Sequence, residues 1–133
     1  MESQNPEYKV TGSDISDLQF EIQQFSAARD WKQFHDPKNL AMAIAVEVGE
    51  LMEHFRWSSN HQSRNILVDP TAREAVEHEL ADVMILLLEF ASETEIDIAT
   101  VVRRKLAINA SRYPVDKAKG SALKYDRLNK PSD

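Results

Sequence analysis

A chain of 133 residues with 42% hydrophobic side chains fits one compact domain with a real core. It contains no cysteine, which excludes disulfide staples and thiolate metal sites and points to a reducing, cytoplasmic setting. A formal charge of −6 excludes a general nucleic-acid coat, which needs a basic face.

Residues 1–12 are polar and lack an apolar signal-peptide stretch, so they read as a flexible N-terminus. Only three glycines and five prolines occur, which predicts few tight turns and long regular elements. The first helix is expected from Ser13 to Trp31, with Ile15, Leu18, Ile22 and Phe25 at three- to four-residue spacing and Ser13 or Asp14 as its cap. Asp36-Pro37, an acidic cap before a proline at the first helical position, opens a second helix through Leu40, Ile44, Leu51 and Phe55 to about Trp57. The polar start of residues 58–68 reads as a loop. Asp69-Pro70 then repeats the start signal for a third helix, to about Ser92. Asp97 begins the fourth, through Ile98, Val101, Val102, Leu106 and Ile108, and Tyr113-Pro114 stops it.

The longest apolar run, Val83 to Leu88, is far too short to span a membrane. It is apolar on every side, and four helices of this size cannot surround one of their own. A homodimer or larger assembly, up to a homotetramer, is therefore expected. The fold class is all-α, a four-helix bundle-like domain over residues 13–114, followed by a tail, 115–133, that is ordered in part at most.

Residues three apart on a helix share a face, so Glu47 and Glu50 point one way, as do Glu79 and Asp82. The two stretches echo each other: Glu47-Val-Gly-Glu50-Leu51-Met52 and Glu79-Leu-Ala-Asp82-Val83-Met84 both run acid, two others, acid, aliphatic, methionine. On two antiparallel helices they would face each other. Glu47 sits among Ala43, Ile44, Ala45, Val46, Val48 and Leu51, and Glu79/Asp82 lead into the apolar run. Acids in such surroundings lose hydration and repel one another unless a cation compensates, and paired carboxylates suit Mg²⁺ or Mn²⁺. Gly49, between the first two acids, would leave space for a close helix or a ligand. Acid pairs at this spacing are also common on ordinary solvated helices. Glu74/Glu77 and Glu93/Glu95 fit that plain reading, and for the other two pairs pattern alone leaves both readings open. A di-iron carboxylate site is disfavoured. It wants Glu-x-x-His, whereas His35, His54, His61 and His78 follow Lys32, Leu51, Ser58 and Ala75.

Several stretches together carry a family resemblance. Phe25-Ser-Ala-Ala-Arg-Asp-Trp31-Lys-Gln-Phe34-His35-Asp-Pro37-Lys-Asn39-Leu40, Glu47-Val-Gly-Glu50-Leu-Met-Glu53, Phe55-Arg56-Trp57, Glu77-His-Glu79-Leu-Ala-Asp82-Val, Lys105-Leu-Ala-Ile-Asn109-Ala-Ser-Arg112-Tyr113-Pro114, and Gly120-Ser121-Ala122 with Lys124-Tyr125 resemble the MazG-like, all-α nucleoside triphosphate pyrophosphohydrolases. The dCTP pyrophosphatase branch is the most similar. The likeness spans about residues 18–127. It implies Mg²⁺-dependent hydrolysis of a (deoxy)nucleoside triphosphate, dCTP or a modified dCTP, to the monophosphate and pyrophosphate, as in cleaning the nucleotide pool. It further implies that Glu47, Glu50, Glu79 and Asp82 hold the metal. Lys105, Asn109, Arg112 and Tyr113 would hold phosphates or sugar, Trp31 and Trp57 would flank the base, and His35 lies in the same motif. Two positions depart from the branch: Ile22 stands where a histidine is expected and Leu86 where a tyrosine is expected.

The chemistry itself needs charge neutralisation, a positioned water and a stabilised pyrophosphate leaving group. A carboxylate not fully used for metal can serve as general base. Glu47 or Glu50 is the first choice, with Glu53 behind them. The basic face Arg103, Arg104, Lys105 and Arg112 can meet phosphates, or can be an ordinary solvated C-terminal face favourable for the helix dipole. Two alternatives stay in view. One is the same fold acting on dUTP or another non-canonical triphosphate. The other is a non-catalytic helical oligomerisation module whose acids pair with Arg103, Arg104 or Arg112. No nucleic-acid polymer or membrane is expected as a partner.

Overall fold

Three of the four long helices begin where an aspartate carboxylate accepts a first-turn amide, which satisfies a donor the helix itself cannot. A computed structural model describes residues 14–130; the expected flexible segment 1–12 lies outside them. Asp14 caps α1 (Ile15–Ala28), Asp69 caps α4 (Pro70–Glu93) and Asp97 caps α5 (Ile98–Arg112), at 2.9, 2.9 and 3.1 Å. The remaining long helix, α2 (Pro37–Glu53), has Asp36 at the cap position without such a bond and relies on its proline start. Thr100 Oγ1 and N–H both donate to Asp97, which lowers its carboxyl below the usual value. Among the described residues every regular element is helical. None of these helices is long and apolar enough to cross a membrane.

The chain forms two compact units that meet in sequence at Ile96 and Asp97. In the first, α2 and α4 form the main pair. His35, just before α2, bonds Glu89 late in α4, whereas His54, just after α2, approaches Glu79 early in α4. The pair is therefore antiparallel, as the repeated acid motif requires. Helix α1 lies on the C-terminal half of α4. Ser26 bonds Glu89 and Gln19 bonds Ser92, so seven residues of α1 pass over only three of α4 and the two helices cross. The deepest apolar side chains are Leu40, Leu88 and Ala91, each 2% exposed. Truncating Leu88→Ala is expected to cost about 2–5 kcal/mol, read as a lower urea midpoint at unchanged slope.

Three expectations need correction. Helix α1 stops at Ala28, short of Trp31, where the Arg29, Asp30 and Trp31 amides fold back onto the Ser26 and Ala27 carbonyls. Helix α2 stops at Glu53, short of Trp57, because Phe55 and Arg56 both donate back to the Met52 carbonyl and the chain turns. Residues 58–68 are not a bare loop either. They hold α3 (Asn60–Asn65) and a 3-10 turn, Ile66–Val68. The signal for α3 was present: Ser59-x-x-Gln62 forms a reciprocal capping box at 3.2 and 2.8 Å.

Both α1 and α4 end on a non-glycine residue in the left-handed region, Asp30 (φ 53°) and Glu95 (φ 55°). In each case the next amide reaches back to a carbonyl inside the helix, Trp31 to Ser26 and Ile96 to Ala91. This is the Schellman closure that glycine usually makes.

The run Val83–Leu88 is only partly covered by its own chain. Met84, Ile85 and Leu87 are 48%, 43% and 43% exposed, while Leu88 is buried. Of the close helix or ligand anticipated at Gly49, no close helix is found among the described residues, since a Cβ there would meet no atom within 4 Å.

The second unit carries α5, a short α6 (Val115–Ala118) and a short α7 (Tyr125–Leu128). Tyr113 meets Tyr125 edge-on with ring centres 6.1 Å apart, and Asn129 donates to the Arg112 and Tyr125 carbonyls. These contacts tie the turn of α7 to the end of α5.

Candidate active site

Antiparallel packing of α2 on α4 sets the two acid motifs side by side. Carboxylate oxygens of Glu47, Glu50 and Glu79 all lie within 4.8 Å of one another. Asp82, three residues beyond Glu79, is exposed and near enough for its charge to act on Glu47. Oε2 of Glu47 and Oε2 of Glu79 are shielded from water and accept no hydrogen bond. The Glu47 carboxyl is pushed above the usual carboxylate range. Loss of hydration is the main cause, followed by the charge of Glu50 and a hydrogen bond shared with it, then by Asp82 and Glu79.

Among the described residues of this unit the one basic group at ion-pair range of the cluster is His54, whose Nε2 is 4.0 Å from Glu79 Oε1. That contact is too long for a good hydrogen bond. The arrangement therefore concentrates negative charge and leaves two shielded carboxylate oxygens without donors. A hard divalent cation fits such a donor set, because it takes carboxylate oxygens and leaves room for water or phosphate. Glu53 is turned elsewhere: its exposed carboxylate pairs with Arg56 at 3.0 Å.

The aromatic candidates lie at the ends of their segments and are open. Trp31 is 44% exposed, against Phe25 edge-on at 5.7 Å. Trp57 is 81% exposed, with the Arg56 guanidinium 4.3 Å from its ring centre. An exposed indole with one free face is able to stack on a base. His35 closes the 3-10 turn Lys32–Phe34 that follows Trp31, and its Nδ1 bonds Glu89 Oε1 at 3.1 Å.

In the second unit Lys105, Asn109 and Arg112 follow one another at helical spacing along one stripe of α5. Lys105 and Arg112 are exposed, and Asn109 and Tyr113 are half-buried. The Arg112 guanidinium lies 4.8 Å from the Tyr125 ring centre, so an aromatic from the following segment helps position it.

Sequence reasoning passed over Glu89 and Ser26. Glu89 is 2% exposed and accepts from both His35 and Ser26. A charged residue directly following the apolar run, seven positions after Asp82 and so on the same face of α4, was the available signal.

The profile of the MazG-like family matches residues 42–128. The chain is 43% identical to dCTP pyrophosphatase 1 of Rattus norvegicus over 105 residues, 79% of this chain and 62% of the relative. The human protein of the same name is 41% identical over the same share. The chain thus spans about three fifths of the length of these curated relatives. Among solved structures, a pyrophosphatase from Archaeoglobus fulgidus superposes with a TM-score of 0.71 at 35% identity, covering 80% of this chain and 99% of that one. The matched stretch spans positions 47, 50, 79 and 82, and by it this chain belongs to the MazG-like family.

Proposed function

We propose that this protein is a Mg²⁺-dependent nucleoside triphosphate pyrophosphohydrolase that converts dCTP, or a modified dCTP, to the monophosphate and pyrophosphate. The observation that carries the chemistry is the cluster of Glu47, Glu50 and Glu79 oxygens within 4.8 Å, with two shielded oxygens lacking donors. The cytosine nucleotide is taken from relatives named dCTP pyrophosphatase 1.

In this reading Glu47, Glu50, Glu79 and Asp82 hold the metal, Mg²⁺ by preference with Mn²⁺ as a substitute. Bound there, the ion supplies charge neutralisation at the phosphates and a lowered pKa for its water. Glu47 or Glu50 accepts the proton of the attacking water. Trp31 and Trp57 stack on the base, His35 contacts it, and Lys105, Asn109, Arg112 and Tyr113 hold phosphates and sugar.

The working form is a homodimer or homotetramer. Met42, Val46, Leu80 and Met84 on α2 and α4 are 62%, 60%, 56% and 48% exposed, and a second copy would cover them. The physiological setting is sanitation of the deoxynucleotide pool in the cytoplasm.

A panel of deoxynucleoside triphosphates at equal concentration, scored for pyrophosphate with and without Mg²⁺, tests the proposal. Mg²⁺-dependent release, fastest with dCTP or a 5-substituted dCTP, is expected. Release of orthophosphate, or none from any member, would refute it.

A further inference from the structure

Glu89 is the one charged side chain among the described residues that is buried to 2% exposure. Two segments from elsewhere in the fold converge on it. Ser26 of α1 donates to Oε2 at 3.3 Å, and His35, in the segment leading into α2, bonds Oε1 through Nδ1 at 3.1 Å. Its helix neighbours Leu88 and Ala91 are buried and apolar, so packing alone would be served by another aliphatic residue. Replacing a buried charge by a packed apolar group is often neutral or stabilising. What the carboxylate adds is a fixed imidazole. With Nδ1 bound to Glu89, the ring cannot rotate freely, and Nε2 remains for another partner. His35 is 16% exposed, so part of the ring reaches the surface.

The position of the pair matters as much as its bonding. Glu89 lies seven residues, two helical turns or about 10 Å, from Asp82 along one face of α4. A triphosphate held at the acid cluster spans that interval with its sugar and base. Trp31, exposed and four residues before His35, belongs to the same short segment.

We propose that Glu89 is a positioning residue for nucleobase recognition: it holds His35 by Nδ1 so that Nε2 meets the polar edge of the pyrimidine. This rests on the triphosphate reading above, and it assigns the discrimination of the base to a buried carboxylate that never touches the substrate. Glu93, whose carboxylate oxygen lies within 4.8 Å of a carboxylate oxygen of Glu89 and a ring nitrogen of His35, gives the rival outcome of a second metal site.

The test compares wild type, Glu89→Ala and Glu89→Gln on dCTP and on 2-deoxyribose 5-triphosphate, which lacks a base. Glu89→Ala is expected to raise KM for dCTP with little change in kcat, and its loss with dCTP should exceed its loss with the base-less substrate about tenfold. Glu89→Gln, whose amide oxygen still accepts from Nδ1–H, should recover most of that difference. Equal losses on both substrates would overturn the proposal in favour of a packing role. So would Mn²⁺ titration showing a second bound ion that Glu89→Gln removes.

A further measurement does not depend on the variants folding. In the wild-type protein, the His35 Nε2 resonance should move when the non-hydrolysable α,β-imido analogue of dCTP binds, and a static resonance refutes the contact. Failure of the parent reading looks different: wild type would then release pyrophosphate from neither substrate.

Discussion

Glu50→Ala and Asp82→Ala are each expected to lower kcat/KM for pyrophosphate release by at least about 100-fold, since even residues that only support metal ligands are worth 10- to 100-fold. Both side chains are exposed, so neither truncation opens a core cavity, and helix content by circular dichroism should be unchanged. Stability should move the opposite way from activity. With metal chelated, Glu79→Gln removes one of the mutually repelling charges and gives Oε2 or its amide replacement a way to bond its neighbours. That variant should melt at or above the wild-type temperature in EDTA while being inactive in Mg²⁺. A variant that loses activity and apo stability together would place Glu79 in ordinary packing instead.

The second large effect is metal-linked stability and its pH dependence. Saturating Mg²⁺ at about 100 times its Kd adds roughly 2.7 kcal/mol, which for a domain of this size is on the order of 10 °C in Tm. The sign with pH follows from Glu47. Its folded carboxyl holds a proton more tightly than an unfolded one, so its contribution favours the folded apo protein below the ordinary carboxylate value. That contribution is lost as pH rises through the raised value. Metal must displace the same proton. The Mg²⁺-induced rise in Tm should therefore be small near pH 5 and larger at pH 8, with the apo protein moving in the other sense. Differential scanning fluorimetry across that range, with EDTA and with Mg²⁺, reads both trends. A rise independent of pH would detach Glu47 from the ion.

Much of the helical plan could be read directly. Asp14, Asp69 and Asp97 each mark a start because an aspartate before a helix has one clear use, and the 3.6-residue spacing of apolar positions marked the helices but overran the ends of α1 and α2. The acid motifs came together because their repetition on consecutive long helices required an antiparallel pairing. What was missed depended on contacts distant in sequence. The end of α2 at Glu53 is set by back-bonds to Met52 that no composition signal announces. Helix α3 hid behind polar residues, although its capping box was written in Ser59 and Gln62. Glu89 was missed because its meaning comes from Ser26 and His35, residues 63 and 54 positions away. The exposed side of Val83–Leu88 followed from counting: too few helices were available to cover it.

The left-handed residues that close α1 and α4 bear on how the molecule breathes. Asp30 and Glu95 hold a backbone conformation that costs an L-residue on the order of 1 kcal/mol, so these two closures carry local strain. Asp30 lies directly before the segment that carries Trp31 and His35, whereas the acids at 47, 50, 79 and 82 lie within the regular turns of α2 and α4. Opening at Asp30 would loosen the aromatic segment and leave the acid cluster standing. Amide exchange at Trp31 should accordingly be faster than at Asp82, so the proposed site would have one half that yields and another that keeps its shape.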